Sequence, residues 1–352
     1  MKTMLLKIIG AVCLFAATAT AQVNTNTWPG VFNPLSITTL HFEVDPQKWE
    51  QIRHDTNFYD PALNIRVPCL MWEEGSTNKL TVQIRRKSDR ALPSESNPQK
   101  VSLKIDINEY VPGQKWRSLE KLSLENGAGG NGVLKEGFAM NLHRLASEAG
   151  FYNYDAGFAT WLRVFVNGSY VGLYSSPEQR DKRFLQHRGM YKPGASWLYE
   201  VNAGITLDTT VNTTNSPTHN HLCYSPFARS NPCTQPNLET TLPQWIDMKS
   251  MLTFAAVEAF TGNHDGLFTH TGKNSFAVDF LPSTQRKRLY FPWDLDAGLS
   301  SVNFDIYSGG PGQANSRTYQ TQILGHYWFR QVYRHTMTDL LDGPLSTASL
   351  TA

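Results

Sequence analysis

The chain has 352 residues and a formal charge of +2, from 32 basic against 30 acidic side chains. Hydrophobic residues make up 40% and charged residues 18%, which excludes a disordered chain. The near balance of charge leaves no electrostatic footprint for nucleic acid, and the length suits about two domains.

Residues 1–21 read as a secretory signal peptide. Lys2 and Lys7 form a basic start, residues 8–17 an apolar run, and Ala19-Thr20-Ala21 a small-residue cleavage site. Removing the two lysines takes the formal charge from +2 to 0. No later stretch reaches the ~18 apolar residues of a membrane helix. The expectation is a protein secreted or held at the cell surface, with no transmembrane segment. Cys13 leaves with the signal, and Cys69 is expected to be a small buried hydrophobe. Cys223 and Cys233 sit ten apart in a polar loop and are expected to form a disulfide. His219 and His221 lie beside them, but the paired C-x2-C spacing of a zinc site is absent. Asn167-Gly-Ser and Asn212-Thr-Thr are glycosylation acceptors in a eukaryotic host, which would make the chain a glycoprotein.

Along the mature chain, residues 40–44 open an alternating strand, and Asp45-Pro46 starts a short helix through Trp49 and Ile52. Residues 80–84 and 101–107 alternate again and read as half-buried antiparallel strands. The intervening residues 85–99 form a loop dense in Arg, Lys and Ser. Residues 132–150 carry helical spacing that ends at Gly150. Asn167-Gly168 between β-rich runs at 161–166 and 170–174 predicts a tight hairpin. Residues 201–241 form a long insertion rich in Thr, Asn, Ser and Pro. An apolar helical stripe from Trp245 to Phe260 stops at Gly262, and residues 275–280 and 288–291 read as a strand pair. Residues 329–341 predict a last long helix. Residues 345–350 read as the start of another, cut short, so the chain is expected to be incomplete at its C-terminus.

The chemistry candidates cluster between residues 263 and 298. Asp265 follows the apolar helix, Asn274 opens the strand pair, and Asp294 and Asp296 follow it. Acids at i and i+2 of a strand share a face, so Asp294 and Asp296 could converge on a hard cation, with Asn274 adding a neutral oxygen. The order Asp, Asn, hairpin, Asp-x-Gly is that of a protein-kinase site. Here Asn274 is nine residues after Asp265 rather than five, and no G-x-G-x-x-G loop or V-A-I-K strand is present. The bland alternative is that these acids cap turns.

Three blocks add a resemblance that covers residues 36–345. One is residues 150–185, with its V-N-G-x-Y-x-G-L-Y core, Glu178 and Asp181-Lys182-x-Phe184-Leu185. The second is Gly189-Met190-Tyr191-Lys192. The third runs from Gly262-Asn263-His264-Asp265 through Asn274 to Phe291-Pro292-Trp293-Asp294-Leu295-Asp296. The chain resembles the CotH kinase family, named for a spore coat protein. That resemblance implies an α+β, atypical protein-kinase-like bilobal fold. Residues 22–177 would be a β-rich N-lobe and residues 178–352 a mainly helical C-lobe. It implies Mg2+ and ATP as cofactors and a protein substrate with a Ser/Thr acceptor. Asp265 would be catalytic; Asn274, Asp294 and Asp296 would serve the metal; Lys100, Lys104 and Glu178 would serve the nucleotide. Glu136 and Glu148 are both candidates to pair with the lysine. The Arg-Gly usual in the family is Arg85-Arg86 here. The competing readings are a surface or coat binding and adhesion protein on an inactive kinase-like scaffold, and a metal-dependent hydrolase or AMP-transferring enzyme.

Overall fold

The computed structural model describes residues 27–88, 100–127, 132–202, 204–219, 238–268, 272–299, 304–307 and 323–351. Residues 1–21, Cys223 and Cys233 lie outside these, so the signal peptide and the disulfide are not described. Cys69 is free and buried, and burial pushes its thiol up to about 12.

The first half of the chain is built on a sheet. Its strands are β1 (Ile37–Glu43), β2 (Arg66–Glu73), β3 (Leu80–Arg86), β4 (Leu103–Asp106), β5 (Lys121–Leu124), β6 (Ala159–Val166) and β7 (Ser169–Pro177). They lie in the order β5-β4-β3-β2-β1-β6-β7. The β1–β6 pair is parallel and the others antiparallel. The two ends of that order meet: Glu125 and Ser175 exchange both backbone hydrogen bonds, at 2.8 and 3.1 Å. The sheet therefore curls back on itself. Its inner side chains, among them Phe42, Val82, Ile84, Ile105, Leu124 and Val164, form one core. Asn167 and Gly168 both have positive φ, the backbone that a two-residue hairpin turn between β6 and β7 demands.

Two helices interrupt this sheet. Helix α1 (Pro46–Arg53) begins where Asp45 accepts the Lys48 N–H at 2.9 Å, with Pro46 in the first turn. Helix α2 (Val133–Glu148) buries Ala139, Met140 and Ala146 and packs on β6 and β7.

The second half contains α3 (Lys182–His187), β8 (Trp197–Val201), β9 (Ile205–Leu207), α4 (Leu238–Trp245) and α5 (Met248–Thr261). It continues with β10 (Ser275–Phe280), β11 (Lys287–Pro292), α6 (Tyr327–Asp342) and α7 (Thr347–Thr351). It is not mainly helical in its centre. A four-stranded antiparallel sheet, β11-β10-β8-β9, runs through it. All six residues of β10 are buried, because the sheet is covered on both faces. Ala277 and Tyr290 pack toward α5 and α6, whereas Phe276, Val278 and Phe291 pack toward Phe184 and Leu185 of α3. The β10–β11 pair matches the strand pair expected at residues 275–280 and 288–291, whereas β8 and β9 were not expected, since periodicity alone does not separate a continuous apolar run such as 197–199 from buried helix. No helix among the described residues is long and apolar enough to cross a membrane.

Candidate active site

A cleft of about 460 Å3 opens between the curled sheet, the start of α2 and the β10–β11 hairpin. The hairpin supplies its floor. Ser275 pairs with Pro292 in the β10–β11 register, which brings Asn274 opposite Trp293. The Trp293 N–H then donates to the Asn274 carbonyl at 3.1 Å. Asn274 Nδ2 reaches the Asp294 carbonyl at 3.4 Å and Asp265 Oδ2 at 3.2 Å. So Asn274, Asp265 and Asp294 meet although they are distant in sequence. Asn274 and Asp294 both hold left-handed backbone, with φ of 54° and 51°. Asn and Asp tolerate that region better than other side chains, and such backbone gathers at functional sites.

Asp294 and Asp296 do not lie on a strand. Strand β11 ends at Pro292, and Leu295–Ala297 is a 3-10 turn, so the alternation expected for a strand does not orient the two acids. Both still line the cleft. Leu295 between them is buried with Ala139, Met140 and Ala159 and pins the turn to α2 and β6. The Leu299 N–H donates to the Thr261 carbonyl and ties this segment to the end of α5.

Asp265, one loop beyond α5, is not in the cleft lining and meets it through Asn274 and Lys273. Gly262 caps that helix in left-handed conformation, as its position after the last apolar turn predicts. Besides Asn274, Asp265 holds Lys273 Nζ at 2.9 Å, and both Lys273 and Asn274 line the cleft.

The sheet and α2 carry the opposing charges. Lys87, just beyond β3, forms an ion pair with Glu125 and lies 4.9 Å from the Trp293 ring centre. Burial alone would push its ammonium down, but Glu125, Glu136 and Asp294 outweigh burial and hold it above the usual lysine value. Glu136, in the first turn of α2, is 5% exposed. Its carboxyl is raised well above the usual range by burial, then by Glu125 and Asp294, with Lys87 pulling the other way. Lys104 of β4 also lines the cleft, and burial, Arg85, Lys87 and Lys121 bring it down to about 8.

The other expected residues are not brought here. Lys100 Nζ lies 5.4 Å from the Tyr174 ring centre, and its stem runs along Gly172, outside the cleft lining. Glu178 is 3% exposed and is consumed by a buried ion pair. Arg188 donates to its two oxygens at 3.0 and 2.7 Å, and Trp28 Nε1 donates at 2.8 Å. Burial alone would push the Glu178 carboxyl up, but Arg188, helped by His187 and Arg180, brings it down to about 2. Glu178 is thus held by Arg188 and Trp28 and does not line the cleft. Glu148 pairs with Arg144 at 2.7 Å on an exposed side of α2, which leaves Glu136 as the helix acid at the cleft.

Lys87, Glu125 and Arg180 are the residues that sequence reasoning missed. Lys87, at the start of the basic run that follows β3, was the available signal. Arg180 is 2% exposed and donates to the carbonyls of Glu178 (2.7 Å) and Pro292 (2.9 Å), clamping the end of β7 to the end of β11. Arg86 is 1% exposed and donates to the carbonyls of Arg53, Asp55 and Ser88. It holds the end of α1 rather than facing a ligand.

The donor set suits a hard cation. Asn274, Asp294, Asp296 and Glu136 line the cleft with oxygen donors, the ligand type that hard cations take. No three His, Cys, Asp or Glu side chains among the described residues are gathered closely enough to cage a metal. Mg2+ does not need such a cage, since it binds through one or two carboxylates with retained water and substrate phosphates.

A family model described as CotH kinase protein matches residues 93–352. No curated protein matches the chain.

Proposed function

The chain belongs to the CotH kinase family, and from that premise we propose that it is a phosphotransferase acting outside the cytoplasm. The reaction is transfer of the ATP γ-phosphate to a Ser or Thr hydroxyl of a secreted or surface protein. The observation that carries this reading is the β10–β11 hairpin, which gathers Asp265, Asn274 and Asp294 opposite the cationic side chains of the sheet. Lys87 and Lys104 take the nucleotide phosphates, and Glu136 orients Lys87. Mg2+, held by Asn274, Asp294 and Asp296, would neutralise charge on those phosphates. Asp265 Oδ2 accepts the proton of the acceptor hydroxyl as its oxygen bonds to the γ-phosphorus. The bond to the β,γ-bridging oxygen breaks, and ADP leaves with its electron pair. The signal-peptide pattern of residues 1–21 supports an extracytoplasmic protein substrate.

Arg86 favours a second reading. Where the family has glycine beside the phosphates, this chain has a buried arginine committed to the carbonyls of Arg53 and Asp55. A binding or adhesion module on a kinase-like scaffold would tolerate that change.

Transfer from γ-labelled ATP, followed by mass spectrometry and combined with calorimetry, separates the readings. Asp265→Asn is expected to bind Mg-ATP nearly as the parent does while losing about 10²- to 10⁴-fold in transfer rate. Asp296→Ala is expected to lose Mg-ATP binding. Normal transfer by Asp265→Asn, or unchanged affinity in Asp296→Ala, would refute the kinase reading. No transfer by the parent chain supports the scaffold.

A further inference from the structure

A second carboxylate lies beneath the loop that carries Asp265. Glu258 is on the inner side of α5 and is 2% exposed. A glutamate so buried is costly unless its oxygens find donors. Here the donors all come from one place. Asn263 Nδ2 donates to Oε1 at 3.1 Å, the Phe268 N–H donates to Oε2 at 3.3 Å, and the Leu267 N–H donates as well. The left-handed Gly262 turns the chain back over its own helix, so that the Asn263 N–H also meets the Glu258 carbonyl at 3.0 Å.

The link from Glu258 to Asp265 is short. Asn263 is fully buried and uses both ends of its amide. Its Nδ2 is held by Glu258, and its Oδ1 accepts the Asp265 N–H at 3.2 Å. Asp265 then accepts from Asn274 and Lys273 at the cleft. The next residue, Gly266, lies where any Cβ would strike the Glu258 carboxylate. The loop over residues 263–268 is thus wrapped on a single side chain that never reaches the cleft.

We propose that Glu258 is a positioning residue, which sets the place of Asp265 by holding the 263–268 loop through Asn263 and the Leu267 and Phe268 amides. This rests on Asp265 being the group that takes the acceptor proton. Its two oxygens together accept from these three N–H groups. Burial pushes the Glu258 carboxyl up to about 8, and the loop donors pull against that rise. Asp265 from the loop, Tyr152 from the segment after α2 and Tyr333 from α6 are the ionisable groups that interact with it.

The test uses Glu258→Met, which fills the space and removes every acceptor, and Glu258→Gln, which keeps one carbonyl oxygen. Hydrogen exchange of the full chain reads the loop directly. The amides of residues 265–268 are expected to exchange at least about tenfold faster in Glu258→Met, with the α5 amides unchanged and Glu258→Gln in between. In the transfer assay, Glu258→Met is expected to lower kcat by about 10²-fold with KM for ATP unchanged, as misplacement of a reacting group does. Partial recovery in Glu258→Gln supports the assignment. Loop exchange equal to that of the parent chain overturns it, as does a general loss of protection throughout α5. An inactive parent chain would instead remove the role given to Asp265, and the exchange experiment would still decide whether Glu258 holds the loop.

Discussion

Strands β10 and β11 are clipped together at their turn end by a buried ion pair. Arg288 Nε and Nη2 donate to the two oxygens of Asp279 at 2.6 and 2.8 Å, and both side chains are 0% exposed. Asp279 and Arg288 are directly opposed in the register. Replacing one partner leaves a buried charge without its counterion, which costs about 3–5 kcal/mol. Asp279→Leu and Arg288→Met are each expected to lose about that much in urea denaturation. The double variant is expected to lie within about 2 kcal/mol of the parent chain, because apolar replacement of both charges is often neutral or stabilising. The single losses would therefore fail badly to add. Asn274 and Asp294 are at the other end of the hairpin, so Mg-ATP affinity should persist in the double variant. Simple addition of the two single losses would refute the claim that the two charges compensate each other.

Two further outcomes follow from packing and charge. Leu295→Ala empties a site 1% exposed between α2 and β6 and should cost about 2–5 kcal/mol in thermal or urea melts, with weaker metal-nucleotide binding. Unchanged melting would show that the turn is not pinned there. The Glu178 carboxyl, brought down to about 2 from its usual 4.5, gives stability that is present above pH 4.5 and lost as pH falls through about 2. That amounts to about 3 kcal/mol at neutral pH. In Arg188→Met burial is left to raise the Glu178 carboxyl, so this acid-labile part of the stability should shrink or change sign, which a pH series of melts would detect.

Local signals were the readable ones. Asn167-Gly168 marked the β6–β7 turn, Asp45-Pro46 marked the start of α1, and Gly262 marked the end of α5, because each acts through its own backbone. Strand β2 was missed although Val67, Cys69 and Met71 alternate correctly, since Pro68 argues against a strand. It is tolerated because β1 pairs with β2 only from Leu70 to Glu73, so at Pro68 the strand has a neighbour on the β3 side alone. The parallel β1–β6 pair had no local trace, as its partners are more than a hundred residues apart. The order Asp265, Asn274, Asp294, Asp296 exposed the floor of the cleft. The cationic side was harder to read, because Lys87 meets Glu125 only once β3, β4 and β5 lie side by side in the sheet. The place of Glu178 was not readable, because a buried ion pair and a ligand contact both need a charged residue beside a strand end.

Closure of the sheet at Glu125 and Ser175 joins the cleft to folding itself. The bridge pairs an end strand with the opposite end strand, so it completes only after β1 through β7 are in order. Glu125 belongs both to this seam and to the ion pair with Lys87. An open seam would release the backbone of Glu125, whose carboxylate is the strongest of the charges that raise Lys87. Such long-range contacts form slowly, because distant segments must first be brought together. A ligand of the cleft therefore selects chains whose seam has closed, and by mass action it protects that seam from opening.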